Sequence, residues 1–508
     1  MSQASRFLDR LEGGLIVSCQ PVDGGPLDTV PSIVAFALAA RNAGARALRI
    51  EGAENVAAVT AACDLPVIGI VKRDLPDSPV RITPFVDDVT ALADAGATVI
   101  AVDGTDRKRP VPVAGLLAAI HARGCLAMAD LATEAEAVVA KQLGFDILGT
   151  TMSGYTGGPI PARPDLAFVA ACRRLGGAVV AEGRYNAPAT AALAIDAGAS
   201  AVCVGSAITR TEHVTEWFRN AVDGAVRRRR ATVLALDVGG SKTLAALVRN
   251  GEIMERRSIP TPGGVGTEAW FATIATLATD WHGRFEAVGA AVTGLVQGGH
   301  WSALNPQTLA IPDRTPLVDR LTTLFGVPAA ALNDAQAAAW GEYRYGAGRD
   351  QDMVFITVSS GIGGGIVLDG KLLQGARGLA GSLGQTAGAS GHARLETRAS
   401  GFGMAAAAAA IGQAPDTRTI FAALEQGLPW AVALVDGAID DLAVALLDLQ
   451  RLLDPQVVIL GGGIGLLPSF RSRLQARLLR EPEIMRPTIE PAALGADAGI
   501  AGIADHAA

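Results

Sequence analysis

Eight short runs of β-branched and aliphatic residues recur between positions 15 and 208, separated mostly by stretches patterned as helices. No other feature constrains the fold as strongly. The runs are LIVSCQ (15–20), ALRIEG (47–52), PVIGIVK (66–72), TVIAVDG (98–104), LAMADL (126–131), ILGTTMSG (147–154), AVVAEGR (178–184) and AVCVGSAI (201–208). Helix punctuation lies between several of them. Thr133 and Glu136 form a capping box with Gly144 as the stop, and a second helix starts after Pro188 and ends at Gly198. Eight strands with helical crossovers in under 230 residues predict a closed parallel (β/α)8 barrel. Strands of such a barrel are covered on both faces, so charge belongs at their ends. The polar residues do collect late in the runs: Gln20, Arg49, Glu51, Lys72, Asp103, Asp130, Glu182 and Arg184. The carboxyl ends of barrel strands form the mouth at which chemistry is done. A ring of salt bridges plugging the barrel is the alternative, and so many polar strand ends argue against it.

The segments SCQP, RIEG, GIVKRD, SPVRITP, AVDGTDRKRP, GTTMSGYT, AEGRYN and VGSAITR follow one another between about residues 8 and 220. In this order and spacing they resemble the N-acetylmannosamine-6-phosphate 2-epimerase family. The resemblance implies a TIM barrel that inverts C2 of an amino-sugar phosphate. Once the sugar ring opens, C1 is an aldehyde and the C2 hydrogen becomes acidic, so a base and an acid suffice without a redox cofactor. Lys72 matches the family's catalytic lysine and needs a pocket that disfavours its ammonium form. Glu182 matches the catalytic glutamate and would be the acid partner; a structural Lys72–Glu182 ion pair is the other reading. The phosphate is expected on Gly183, Arg184, Gly205 and Ser206, after strands seven and eight, with Arg210 as a bidentate clamp. By resemblance Gln20, Arg49, Asp130 and Tyr155 would position the sugar.

With 508 residues, half of them apolar, the chain is long for one core. NAVDGAVRRRRA (220–231) is polar, then basic, then gives way to an apolar run, so a linker is expected near 224–231 between domains at 1–228 and 232–508. The second half opens with TVLALDVGGSKTLAALV (232–248), a strand, a Gly-rich turn and a second strand. Without a following helix this is not a Walker loop. Turns of this kind can present backbone N–H groups to phosphate. A second cluster, MVFITVSSGIGGGIVLDGKLL (353–373), would make a second phosphate cradle, and QVVILGGGIG (456–465) would close over adenosine. Three strand-to-Gly units at wide spacing suggest two like halves gripping one nucleotide. ALNDAQAAAWGEY (331–343) puts Asp334 at the start of a helix, where it is either an N-cap or a base for a sugar hydroxyl.

The order DVGGSK, VTGLV, ALNP, LNDAQAAAW, FITVSSGIGGGIV, GLAGSLGQ, LETRASG and VVILGGGI resembles the ROK family, and within it the N-acetylmannosamine kinases. This implies a two-lobed actin-like fold. ATP is expected on Ala235, Leu236, Asp237, Val238, Gly239, Gly240, Ser241 and Lys242, and on Gly361 through Leu368 (Ile362, Gly363, Gly364, Gly365, Ile366 and Val367 between them). Asp237 would hold Mg2+, Asp334 would be the base, and Asn305, Asn333 and Glu396 would contact the sugar. One departure stands out. Ser382 and Gln385 occupy the places of the family's histidines, His392 alone cannot rebuild a tetrahedral site, and no cysteine follows Cys203, so no zinc is expected.

The two implied activities would be consecutive: the kinase would supply the 6-phosphate that the epimerase would convert to N-acetylglucosamine 6-phosphate, as in sialic acid degradation. An active epimerase with a non-catalytic or altered sugar-sensing second half is the rival. DNA-binding relatives carry a helix-turn-helix where this chain carries a barrel. The expected partners are therefore small amino sugars and ATP, with no nucleic acid and no membrane, in a homo-oligomer. Five cysteines without paired spacing, an N-terminus that lacks the apolar region of a signal peptide and the lack of a long apolar stretch predict a cytoplasmic enzyme, and the net charge of −7 offers no strong nucleic-acid footprint.

Overall fold

A computed structural model describes residues 3–239, 242–261, 267–303, 311–387 and 393–508, in two compact units, Met1–Val222 and Asp223–Ala508. In the first unit eight parallel strands close a barrel: β1 (Gly14–Ser18), β2 (Ala47–Glu51), β3 (Val67–Ile70), β4 (Val99–Asp103), β5 (Leu126–Asp130), β6 (Ile147–Gly149), β7 (Ala178–Glu182) and β8 (Ala201–Val204). β8 pairs back onto β1, with Gly14 opposite Ala201. All eight expected strands are present, each ending at or before the expected last residue. Alternate residues explain why they are apolar on both faces up to their polar carboxyl-terminal parts. Ile16, Ile68, Ile70, Met128, Ile147 and Val180 fill the interior. Val17, Leu48, Ile50, Val67, Ile100 and Val179 pack outward against the helices. Phe7 and Leu11 of the helix Gln3–Leu11 join the interior cluster. The capping box at Thr133 and Glu136 forms on both sides, and Gly144 ends that helix at φ 100°.

The expected linker is not a loop. Residues 224–230 are the last turns of the helix Thr211–Arg230, and Ala231 N–H still donates to Arg227 C=O. Arginine and alanine favour helix strongly enough to outweigh the break that Gly224 would make. No residue of this helix is buried.

The second unit contains the same arrangement twice. In the first sheet β9 (Thr232–Val238), β10 (Lys242–Arg249) and β11 (Glu252–Pro260) form an antiparallel meander, and β12 (Ala287–Val292) and β15 (Ala329–Asn333) continue it in parallel. A small hairpin of β13 (Leu295–Gln297) and β14 (His300–Ser302) lies between the last two in sequence. In the second sheet β16 (Met353–Val358), β17 (Ile362–Leu368) and β18 (Lys371–Leu373) form the meander, with β19 (Val457–Gly461) and β20 (Ile489–Pro491) in parallel. Both sheets thus have the order third, second, first, fourth, fifth, the two like halves expected of an actin-like kinase. The helices Asp334–Tyr345 and Ala498–Ala507 cross so closely that a Cβ on Gly502 would lie 1.9 Å from Ala337 C=O. Asp505 ties this crossing, accepting from Trp340 Nε1 (2.8 Å), Arg344 Nε (3.0 Å) and Tyr345 OH (2.7 Å).

Two candidate active sites

The barrel mouth is a cavity of about 450 Å3. Gln20, Arg49, Lys72, Tyr155, Glu182, Gly183, Arg184, Gly205, Ser206 and Arg210 all line it. Lys72 follows β3 and Glu182 ends β7. These strands are four apart in a ring of eight, so the two groups face each other across the mouth. They form no ion pair. Among the described residues the Lys72 ammonium has no acidic partner within 4.0 Å, while Glu182 Oε2 lies 3.1 Å from Arg49 Nη1. Burial holds the lysine below its usual pKa; Asp23 opposes this and Arg210 adds to it. Burial likewise raises the Glu182 carboxyl, against the pull of Arg49 and with the push of Asp130. The pair is therefore tuned in the directions a base and an acid require.

Asp130, expected to touch the sugar, lies behind the wall instead. It is 0% exposed and does not line the cavity. It accepts from Arg49 Nη1 (3.2 Å) and Nη2 (2.6 Å) and from Thr151 Oγ1 (2.6 Å). A carboxylate this deep is retained only with such partners. Its effect is to fix the guanidinium that faces Glu182. Among the described residues the buried Arg49 Nε has no hydrogen-bond partner, an unused donor at the cavity wall. Thr151 and Cys203, which also line the mouth, escaped sequence reasoning because neither residue type announces a role.

On the phosphate side the backbone takes positive φ at Gly183 (107°) and Arg184 (64°). The Arg184 side chain is already committed to Ser153 C=O (2.5 Å) and Arg163 C=O (2.8 Å) and stacks 5.4 Å over Tyr155. Arg210 donates through Nε to Gln20 C=O (3.0 Å), and among the described residues its terminal nitrogens have no partner, which leaves them for an anion.

In the second unit Asp237, near the end of β9, and Asp334, after β15, come close enough for the Asp334 charge to affect the ionisation of Asp237. Burial and the Asp334 charge push the Asp237 carboxyl up to about 6, with Lys242 opposing. Asp334 is raised by burial, against hydrogen bonds from Thr293 Oγ1 (2.9 Å), Ala335 N–H (2.8 Å) and Asn333 Nδ2 (2.9 Å). Asp334 is the first residue of its helix, and the cap is Asn333, whose Oδ1 accepts from Ala335 and Gln336. Asn333 was expected to bind sugar; its amide is instead taken up by the cap, Gly294 C=O and Asp334.

Several expected nucleotide contacts fall elsewhere. Ala235, Leu236 and Val238 are fully buried in a central strand paired on both edges. Ile366 and Val367 are also paired on both sides, and Leu368 pairs with Lys371 of β18. Gly363 and Gly365 serve packing: a Cβ on either would meet Ala335 Cβ at 2.8 Å or Ala339 Cβ at 2.5 Å in the helix behind. Asp237, Gly239, Lys242, Gly361 and Ile362 remain at strand ends or turns, while Gly240, Ser241, Asn305 and His392 lie outside the described residues. Gly364 would meet Gly381 C=O at 2.7 Å, so it too fits a close backbone approach. Glu396 lies against the β16–β17 turn, its Oε1 2.6 Å from where a Gly361 Cβ would be. Gln385 Nε2 donates to its other oxygen at 2.7 Å.

Comparison with known proteins agrees with the two-part reading. Residues 33–224 match the family described as putative N-acetylmannosamine-6-phosphate epimerase, and residues 233–508 match the ROK family. A protein of Brucella melitensis named bifunctional enzyme NanE/NanK is 57% identical over 505 residues, covering 99% of this chain and 97% of that one. Its Brucella suis counterpart is also 57% identical over 505 residues, covering 99% and 96%. A Proteus mirabilis protein named putative N-acetylmannosamine-6-phosphate 2-epimerase is 60% identical over 211 residues, covering 42% of this chain and 91% of its own.

Proposed function

We propose a mechanism for each half from one premise: the chain belongs to the bifunctional NanE/NanK enzymes, which join an epimerase of the N-acetylmannosamine-6-phosphate family to a ROK-family kinase. It is an isomerase and a phosphotransferase in one chain. The kinase phosphorylates N-acetylmannosamine, and the epimerase converts the 6-phosphate to N-acetylglucosamine 6-phosphate, the order needed to degrade sialic acid.

In the barrel, Lys72 removes the C2 proton of the open-chain sugar and Glu182 delivers one to the opposite face. Arg210, with the backbone of Gly183, Arg184, Gly205 and Ser206, holds the phosphate; Gln20, Arg49 and Tyr155 orient the sugar. The observation that carries this is the unpaired, pKa-lowered Lys72 across the mouth from Glu182. In the kinase, Asp334 accepts the proton of the attacking hydroxyl and Glu396 holds the sugar. Two carboxylates raised by burial, Asp237 also by the charge of Asp334, suit a divalent cation, so Mg2+ arriving with ATP would be held through Asp237 and would neutralise charge on the transferred phosphoryl group. The presence of Asp237, Asp334 and Glu396 favours catalysis over a sensing role for this half.

The chain is read as cytoplasmic, where ATP and free thiols coexist. All five cysteines are free, and among the described residues no helix is long and apolar enough to cross a membrane. The exposed Trp217, Phe218 and Val222 support a homo-oligomer. The deciding experiment supplies purified protein with ATP, Mg2+ and N-acetylmannosamine and follows both phosphorylated sugars. N-acetylmannosamine 6-phosphate should appear first and then decline as its epimer accumulates. ATP consumption with no sugar phosphate would refute the kinase assignment; a 6-phosphate that never epimerises would refute the barrel assignment.

A further inference from the structure

We propose that Gln385 is a positioning residue for sugar binding: it bridges Arg394 and Glu396 and leaves one oxygen of Glu396 free to accept from the sugar. The inference rests on the kinase reading, in which Glu396 touches N-acetylmannosamine, and assigns the group that holds Glu396 in place.

Gln385 closes the turn Leu383–Gln385, and its side chain makes two bonds of opposite polarity. Arg394 Nη1 donates to Oε1 at 2.8 Å, and Nε2 donates to Glu396 Oε2 at 2.7 Å. The arginine determines which way the amide faces, since only its oxygen can accept from a guanidinium. The amide nitrogen is thereby turned to the carboxylate. Backbone pairing pins the frame around this relay. Ala387 and Arg394 form an antiparallel bridge, and Leu395 N–H donates to Thr386 C=O at 2.9 Å.

With Oε2 occupied, Oε1 is the oxygen that approaches Gly361 in the β16–β17 turn, where a side chain at 361 would collide with it. Glutamine suits this place because it is uncharged. An acidic residue would repel Glu396, and a short apolar one would let Arg394 reach Glu396 directly and compete with the sugar for it. Leu395 is buried next to Glu396, so the backbone that carries the carboxylate is fixed as well. The relay Arg394–Gln385–Glu396 thus orders a sugar-binding carboxylate with protein groups alone.

Three variants of the full-length enzyme test this by steady-state kinetics. Gln385→Leu keeps the bulk and removes both bonds. It should raise the KM for N-acetylmannosamine about tenfold to a hundredfold, the effect of losing a hydrogen bond to a charged acceptor, and leave kcat and the KM for ATP unchanged. Gln385→Glu should show the same defect at alkaline pH. The defect should shrink as the pH falls, because one carboxyl of the facing pair then protonates and its O–H donates to the other; the wild-type sugar KM should lack this dependence. Glu396→Ala is the control for the underlying reading and should also raise the sugar KM. A normal sugar KM in Gln385→Leu alongside a raised one in Glu396→Ala would overturn the positioning role and leave the sugar site standing. Normal values in both would overturn the site as well. A Gln385→Leu defect spread equally over kcat and ATP, or a pH-independent Gln385→Glu defect, would reduce Gln385 to a strut of the loop. Should Gln385→Leu fail to fold, the pH profile of Gln385→Glu decides alone.

Discussion

Replacing Asp130 by asparagine tests the buried part of the epimerase site most directly. The native carboxylate is wholly inaccessible and compensates Arg49, itself 1% exposed. Asparagine keeps one oxygen for the 2.6 Å bond to Nη2 but turns an NH2 toward Nη1 and removes the charge. Breaking a buried ion pair by changing one partner costs about 3–5 kcal/mol. The lower end is expected here, because Glu182 stays 3.1 Å from Nη1 and can take over part of the compensation. For a domain of this size about 3 kcal/mol lowers Tm by roughly 6–12 °C.

The same takeover has a catalytic signature. Asp130 helps to raise the Glu182 carboxyl, and Arg49 pulls it down. Without Asp130 one of the two upward pushes is lost, burial alone opposes Arg49, and the carboxyl falls from its native position. The productive state, neutral Lys72 with protonated Glu182, is one of two arrangements of a single proton. While Lys72 remains the weaker acid, its share drops about tenfold for each unit by which the Glu182 pKa falls. The plateau of C2 proton exchange should therefore fall, and its acid limb should move to lower pH. Exchange into deuterated buffer, followed by NMR across pH, reads both; heat pulses with residual epimerase activity read the stability. An unmoved acid limb, with the barrel inactivating at the wild-type temperature, would refute the reasoning.

Lys72→Ala or Glu182→Gln should abolish interconversion of the two 6-phosphates while sugar-dependent ATP consumption continues, and near-normal C2 exchange in Lys72→Ala would remove the proton-transfer assignment. Asp334→Asn should eliminate phosphorylation and keep ATP binding, because in the proposed mechanism Asp334 addresses the sugar hydroxyl; phosphorylation at the wild-type rate would leave the base unidentified. The purified protein should carry no stoichiometric zinc, and chelation followed by Mg2+ should restore both activities. About one zinc per chain by elemental analysis, with kinase activity lost on its removal, would contradict this.

The barrel was legible because its strands announce themselves twice, by period and by where charge begins. Lys72 and Glu182 stand at strand ends and Arg49 late in its run, and the closed ring brings all three to one mouth. Asp130 read the same way and yet points inward to Arg49, since residue type and position cannot tell a wall from its support. In the kinase the Gly clusters were legible as motifs and misleading in detail. Gly363 and Gly365 are small because a helix lies on them, which has the same sequence signature as a phosphate cradle. Asn333 and Asp334 show the converse, for adjacency in sequence could not say which of the two caps the helix.

In the proposed two-group mechanism, the placement of Lys72 and Glu182 on strands four apart gives the reaction an isotopic memory. The hydrogen that one group takes from its face of C2 is then not the one that the other group returns to the opposite face. Each direction of turnover draws on a different reservoir. The ammonium of Lys72 mixes the abstracted hydrogen with two others and with solvent, whereas the carboxyl of Glu182 holds one at a time. A sugar that has crossed the mouth is thus marked by the solvent in which it crossed, and a sugar returned unreacted by Lys72 can still carry its own hydrogen.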